Sequence, residues 1–144
     1  MADALYDKGR NGFLTGLIDW DTDDIRALLV RTSGGGGGPY YTLDLAADDF
    51  LDDIPNNADC RPASAVALTS EAGVDGVADA DDPTFPTVAA GDAIQLVVLY
   101  KHTGVESTSN LILAIDSATG LPFTPSGGDI TVQWDGGANK IFKL

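Results

Sequence analysis

Residues 128–144 constrain the fold of this chain more than any other stretch. Ile130, Val132 and Trp134 alternate with Thr131 and Gln133, the period of two that sends apolar groups to one face of a pleated strand and polar groups to the other. Asp135, Gly136 and Gly137 accept the positive φ of a tight reversal, and Ile141, Phe142 and Leu144 offer a second strand. The pattern predicts a terminal hairpin that closes the domain. Trp134 and Phe142 should then be buried, with Trp134→Ala costing about 3–5 kcal/mol.

The strongest strand signals elsewhere are residues 93–100 and 111–115, near-continuous apolar runs of sheet-core type, and residues 25–31 suit a well-buried strand. Residues 63–69 and 74–80 read as small-residue strands. Short strands joined by polar loops predict a mainly β protein, an antiparallel β-sandwich or barrel with an N-terminal α-helix and a short second helix. At 144 residues the chain fits one domain, helix 2–16 followed by a β-rich body 18–144, and can bury a core without disulfides or metals.

The N-terminal helix is expected over residues 2–16, where Ala2, Leu5, Tyr6, Gly9, Phe13 and Leu17 recur at three- and four-residue spacing. Gly9 and Gly12 each cost about 1 kcal/mol against Ala in a helix interior, so this helix should hold only when docked. Gly16 is placed to cap it. Residues 42–54 read as a short helix or turn, where Leu43, Ala46, Ala47, Phe50, Leu51 and Ile54 are apolar and Pro55 ends the segment.

Charge narrows the partners. The net charge is −14, with 17 acids and 5 bases in residues 1–82 against 5 and 3 in residues 83–144. Long-range repulsion disfavours nucleic acid and other polyphosphates. No run of about 18 apolar residues suggests a membrane span. The start, Met1-Ala2-Asp3-Ala4, lacks a basic and then apolar leader, which predicts synthesis in a cytoplasm without a classical export signal.

Few residues suggest chemistry. His102 and Cys60 are each single of their kind and make no multi-His/Cys metal site or nucleophile motif; His102, at a strand end, reads as an exposed turn histidine. Asp19, Asp21 and Asp23 resemble the opening of a calcium loop, but Asp24 replaces its turn glycine and Val30 its bidentate glutamate, so a solvated turn is expected. Gly34 to Gly38 lacks the Lys, Ser/Thr and helix of a phosphate loop and reads as flexible. A pair of carboxylates meeting across a cleft would be the one enzymatic arrangement open to this composition. We expect no catalysis, no cofactor and no metal. Tyr40 and Tyr41 follow the glycine run, where paired tyrosines give contact area at low entropy cost or serve as ordinary strand residues.

Several segments carry a resemblance: residues 4–10 with Phe13-Leu14, residues 18–23, 49–55 and 76–82, and the tail from Ile115 to Leu144, most specifically Thr119-Gly120-Leu121-Pro122 and residues 135–144. Together they resemble a family of small tailed-bacteriophage virion structural proteins. The long Gly34 to Gly38 loop and Asp59-Cys60-Arg61-Pro62 depart from it. The resemblance implies a capsid decoration, or cement, protein on the virion surface, bound to the major capsid protein and bridging its subunits, with no catalytic residue. A homotrimer suits that role, since closed symmetry repeats one contact about a local axis. The helix and the Gly34 to Tyr41 loop are the expected contact surface, with Tyr6, Arg10, Tyr40 and Tyr41 as interface residues. A tail or neck component and a calcium-dependent carbohydrate-binding module are the alternatives.

Overall fold

The computed structural model describes residues 3–36 and 38–144. Its strands, in chain order, are β1 (Ala4–Leu5), β2 (Ile25–Val30), β3 (Ser33–Gly34), β4 (Gly38–Pro39), β5 (Val66–Ala67), β6 (Ala72–Val74), β7 (Val77–Asp79), β8 (Thr84–Phe85), β9 (Leu96–Lys101), β10 (Leu111–Ile115), β11 (Ile130–Thr131) and β12 (Phe142–Lys143). One α-helix, α1 (Asp7–Leu14), follows β1. The protein is mainly β, antiparallel throughout and sandwich-like, as the patterning predicts.

The three apolar runs make the centre. β2 pairs with β9 over six positions, Ile25↔Lys101 to Val30↔Leu96, and β9 pairs with β10, giving the sheet order β1-β10-β9-β2-β5. Side chains alternate across this sheet. Ile25, Ala27, Leu29, Val97 and Leu99 point to one layer, where Ala78, Phe85, Ile130, Val132, Ile141 and Phe142 from the small strands meet them. Leu28, Val30, Leu96, Val98 and Tyr100 point to the other, under Tyr41, Leu51, Ile54 and Cys60 from an irregular segment. Both faces are therefore covered, which explains why the runs are continuous rather than alternating apolar and polar. Each fully buried Leu, Ile or Val contributes about 1.5–3 kcal/mol.

A bulge joins helix to sheet. The register shifts between Leu111↔Tyr100 and Leu113↔Leu99, so Ile112 is the extra residue, and it packs in the same layer as Leu113. Its carbonyl accepts the Tyr6 N–H at 2.9 Å. Gly9 of α1 lies against the same place: a Cβ there would come within 2.7 Å of the Ile112 oxygen and 2.8 Å of its Cα. Glycine is required because backbone meets backbone. Gly16 terminates the helix as expected, at φ +73°, with the Leu17 N–H on Gly12 O and the Gly16 N–H on Phe13 O.

The structure corrects five expectations of secondary structure and strand pairing. First, helix 2–16 is only Asp7–Leu14; Ala2 lies outside the described residues, and Ala4 and Leu5 are drawn into β1 by pairing with Ala114 and Leu113. Second, of the short helix or turn expected over residues 42–54, no α-helix forms; the segment is turns and one 3-10 turn, Leu51–Asp53. Aspartates compete with the helix there: Asp44 accepts from the Ala46 and Ala47 N–H groups, Asp48 from that of Asp44, and Asp53 from those of Asp49 and Phe50. Third, residues 74–80 are not one strand but part of the β6–β7 hairpin, turned by Asp75 and Gly76 at φ 52° and 80°. Fourth, strand 63–69 shrinks to Val66–Ala67, paired with β2 at Arg26↔Ala67 and Ala27↔Val66.

The fifth correction concerns the terminal hairpin, which does not form. β11 pairs with β8 and β12 with β7, in separate sheets. The segment before the turn is already satisfied by its neighbours, since the Val132 N–H donates to Pro83 O and the Trp134 N–H to Asp82. Phe142 is buried as expected, 5.1 Å and edge-on from the Trp20 ring. Trp134 is only half-buried, its indole N–H on Asp81 O.

Candidate functional site

The four expected contact residues do not share a surface. Tyr6 is fully buried and Tyr41 nearly so. Their hydroxyls lie 3.1 Å apart, and that of Tyr41 donates to Asp48 Oδ2 at 2.6 Å. A phenol has one proton, so Tyr6 is the donor to Tyr41 in this chain of bonds. Burial raises both phenols above the ordinary tyrosine range, and for Tyr41 its Tyr6 neighbour and the Asp48 carboxylate add to the effect. These two residues fasten the irregular segment and β1 to the sheet; they are not presented to a partner.

Tyr40 and the glycine run form a second closed arrangement. β3 and β4 pair at Ser33↔Pro39 and Gly34↔Gly38; Gly37 lies outside the described residues. The Tyr40 hydroxyl donates to Asp92 Oδ2 and accepts the Gly36 N–H, while the same carboxylate oxygen accepts the Gly35 N–H at 3.0 Å. A Cβ on Gly34 would fall 2.2 Å from that oxygen. The run is a fitted hairpin around Tyr40 and Asp92, which corrects its reading as a flexible loop. Tyr40 keeps a half-exposed ring. Arg10 is exposed, on α1, and pairs with Asp7 at 2.8 Å.

Two open clefts of about 590 Å³ each flank the central sheet. One is lined by Arg26, Arg61, Tyr100, His102 and Glu106. Arg61 is a latch: its side chain is 8% exposed, and its guanidinium donates to Leu51 O, Ile54 O and the Glu106 carboxylate. Arg26 grips Asp24, and that hydrogen bond holds the Asp24 carboxyl below its usual range. His102 is not the exposed residue expected; it is half-buried, its N–H on Asp24 O and its ring 6.2 Å from that of Tyr100. Among the described residues its Nδ1 and the Arg61 Nε are buried and find no hydrogen-bond partner.

The other cleft runs between β1 and β12. Arg10, Lys140 and Lys143 line it, with Trp134, Asp3 and Asp135. Both acids already serve backbone donors: Asp3 accepts from the Asp116 and Ser117 N–H groups, and Asp135 from that of Gly137. Patterning gives no sign of this cleft, because its walls are 130 residues apart in sequence.

Among the described residues no three His, Cys, Asp or Glu gather to hold a metal. In the acidic turn the Asp23 carboxylate is engaged by Lys101 at 2.9 Å and by the Asp19 N–H. Asp19 and Asp21 share a hydrogen bond that lowers the first carboxyl and raises the second. Burial pushes the Cys60 thiol up to about 11, which keeps it a thiol at neutral pH. Among the described residues no helix is long and apolar enough to cross a membrane. Compared with protein-family models and with curated proteins, the chain matches none.

Proposed function

We propose that this chain is a virion structural protein of a tailed bacteriophage: a decoration protein that sits on the capsid as a homotrimer and bridges major capsid subunits. One observation carries the reading. The segments in which the sequence resembles that family are joints of the fold rather than surface motifs. Gly9 seats α1 on the bulge, Asp23 closes the acidic turn, and Asp53 caps the 3-10 turn. Asp75 and Gly76 turn the β6–β7 hairpin, and Trp134 is held by Asp81 and Asp82. A likeness in joints is a likeness of scaffold, as expected where the protein's role is to be a rigid piece of an assembly.

On this reading Arg10 and Tyr40 are the contact residues to mutate first, and the chain turns over no substrate. The test is the ratio of this chain to major capsid protein in purified particles. Many copies, with density over the shell, support decoration; a handful, with density confined to the tail, assign it to the tail or neck. Light scattering should give three times 14.9 kDa, and a monomer mass overturns the trimer. Sustained hydrolysis of peptidoglycan or polysaccharide, lost on replacing one Asp, overturns the non-enzymatic reading.

A further inference from the structure

We propose that the cleft between β1 and β12 is a docking groove for an extended, carboxylate-bearing segment of a partner protein, which lies between the two strand edges as an added strand. β1 is the outer strand of the large sheet and β12 that of the β12-β7-β6 sheet, so among the described residues neither Ala4–Leu5 nor Phe142–Lys143 carries a second strand on its outer edge, the Asp7 N–H beyond β1 being taken by Leu45 O. In an antiparallel pair, residues alternate between bonding their partner strand and pointing away from it. The Tyr6 N–H bonds Ile112 O, which turns the N–H and C=O of Leu5 outward; the Leu144 N–H bonds Gly76 O, which does the same for Lys143. Leu5 and Lys143 both line the groove. A strand has backbone groups on both edges and can satisfy both walls at once.

Charge selects the occupant. Seven of the eight Lys and Arg side chains are engaged: six in ion pairs, and Arg31 with the carbonyls of Asp92 and Ala58. Lys143 is the eighth and, among the described residues, has no such partner. An unmatched ammonium in a chain with 22 acids, beside open backbone donors and acceptors, with Arg10 and Lys140 on the same groove against Asp3 and Asp135, whose carboxylates are already turned to backbone N–H groups, calls for a carboxylate from outside. The half-buried Trp134 ring adds apolar wall for the residues between the acids.

The inference does not depend on where the protein resides. The probe is a blocked peptide alternating glutamate and valine, titrated into isotope-labelled protein, with a lysine–valine peptide as control. The Leu5 and Lys143 amides should shift and exchange more slowly on binding the acidic peptide. The lysine peptide should bind about tenfold more weakly, and Lys143→Glu, at an exposed position, should reverse that order while melting like the parent. No binding of the acidic peptide at millimolar concentration, equal affinity for Lys143→Glu, or shifts that map elsewhere would each overturn the proposal. Concentration-dependent shifts of the same two amides without peptide would overturn it too, since the occupant would then be a second copy of the chain.

Discussion

Replacing Gly9 by Ala tests how α1 is held to the sheet. By intrinsic propensity the change should stabilise the helix by about 1 kcal/mol. The structure reverses the sign. The new Cβ would lie 2.7 Å from Ile112 O, 2.8 Å from Ile112 Cα and 3.0 Å from Leu111 O, all backbone atoms that no rotamer change can move. Reaching ordinary contact near 3.4 Å means withdrawing the helix by roughly 0.7 Å. That strains the 2.9 Å Tyr6–Ile112 hydrogen bond, worth about 1 kcal/mol, and opens the packing beneath α1, with overpacking itself costing about 1–3 kcal/mol. The net expectation is a loss of about 1–3 kcal/mol. Gly12→Ala is the control: its Cβ meets the Ile18 side chain, Cδ1 at 2.5 Å and Cγ1 at 2.8 Å, which unlike backbone can turn aside, so the change should cost less than Gly9→Ala. Urea unfolding at pH 7 measures both. If Gly9→Ala equals or exceeds the parent, or Gly12→Ala loses more, the close approach at the bulge is not what positions the helix.

Tyr41→Phe should cost about 1–3 kcal/mol because it strands the buried Tyr6 hydroxyl, whereas Tyr6→Phe, which leaves Tyr41 on Asp48, should cost only about 0.5–1.5 kcal/mol; the reverse order in urea melts refutes the donor assignment. Both phenols have raised folded pKa values, so their contribution is fully present below the unfolded tyrosine value of about 10 and is lost as pH rises above it, by up to about 1.4 kcal/mol per pH unit for each group. A melting profile from pH 8 to pH 11 should bend downward there, and less so in the Tyr6→Phe, Tyr41→Phe double variant. Phe142→Ala should cost about 3–5 kcal/mol and the half-buried Trp134→Ala clearly less; similar losses by calorimetry would mean that Trp134 is a core residue after all.

The sequence alone determines whatever depends on neighbours along the chain. Apolar runs at 25–31, 93–100 and 111–115 become β2, β9 and β10 because nearly every residue of a two-sided sheet core must be apolar, Arg26 being the exception within β2, whichever strands flank it. Gly16 caps α1 because positive φ is a local demand. Tertiary structure decides which strand pairs with which. Residues 130–134 alternate well enough for a hairpin, but residues 82–85 satisfy their backbone first, and the final strand goes to β7. Ala4 and Leu5 continue a helical pattern until the edge of β10 offers them hydrogen bonds. Tyr6 and Tyr41 look alike as surface anchors or as core until Asp48, brought in by an aspartate-rich segment, supplies the acceptor that lets two phenols lie buried. The groove at Leu5 and Lys143 is the extreme case, because its walls come from opposite ends of the chain and, among the described residues, Lys143 is seen to lack a partner only once the other seven Lys and Arg side chains have found theirs.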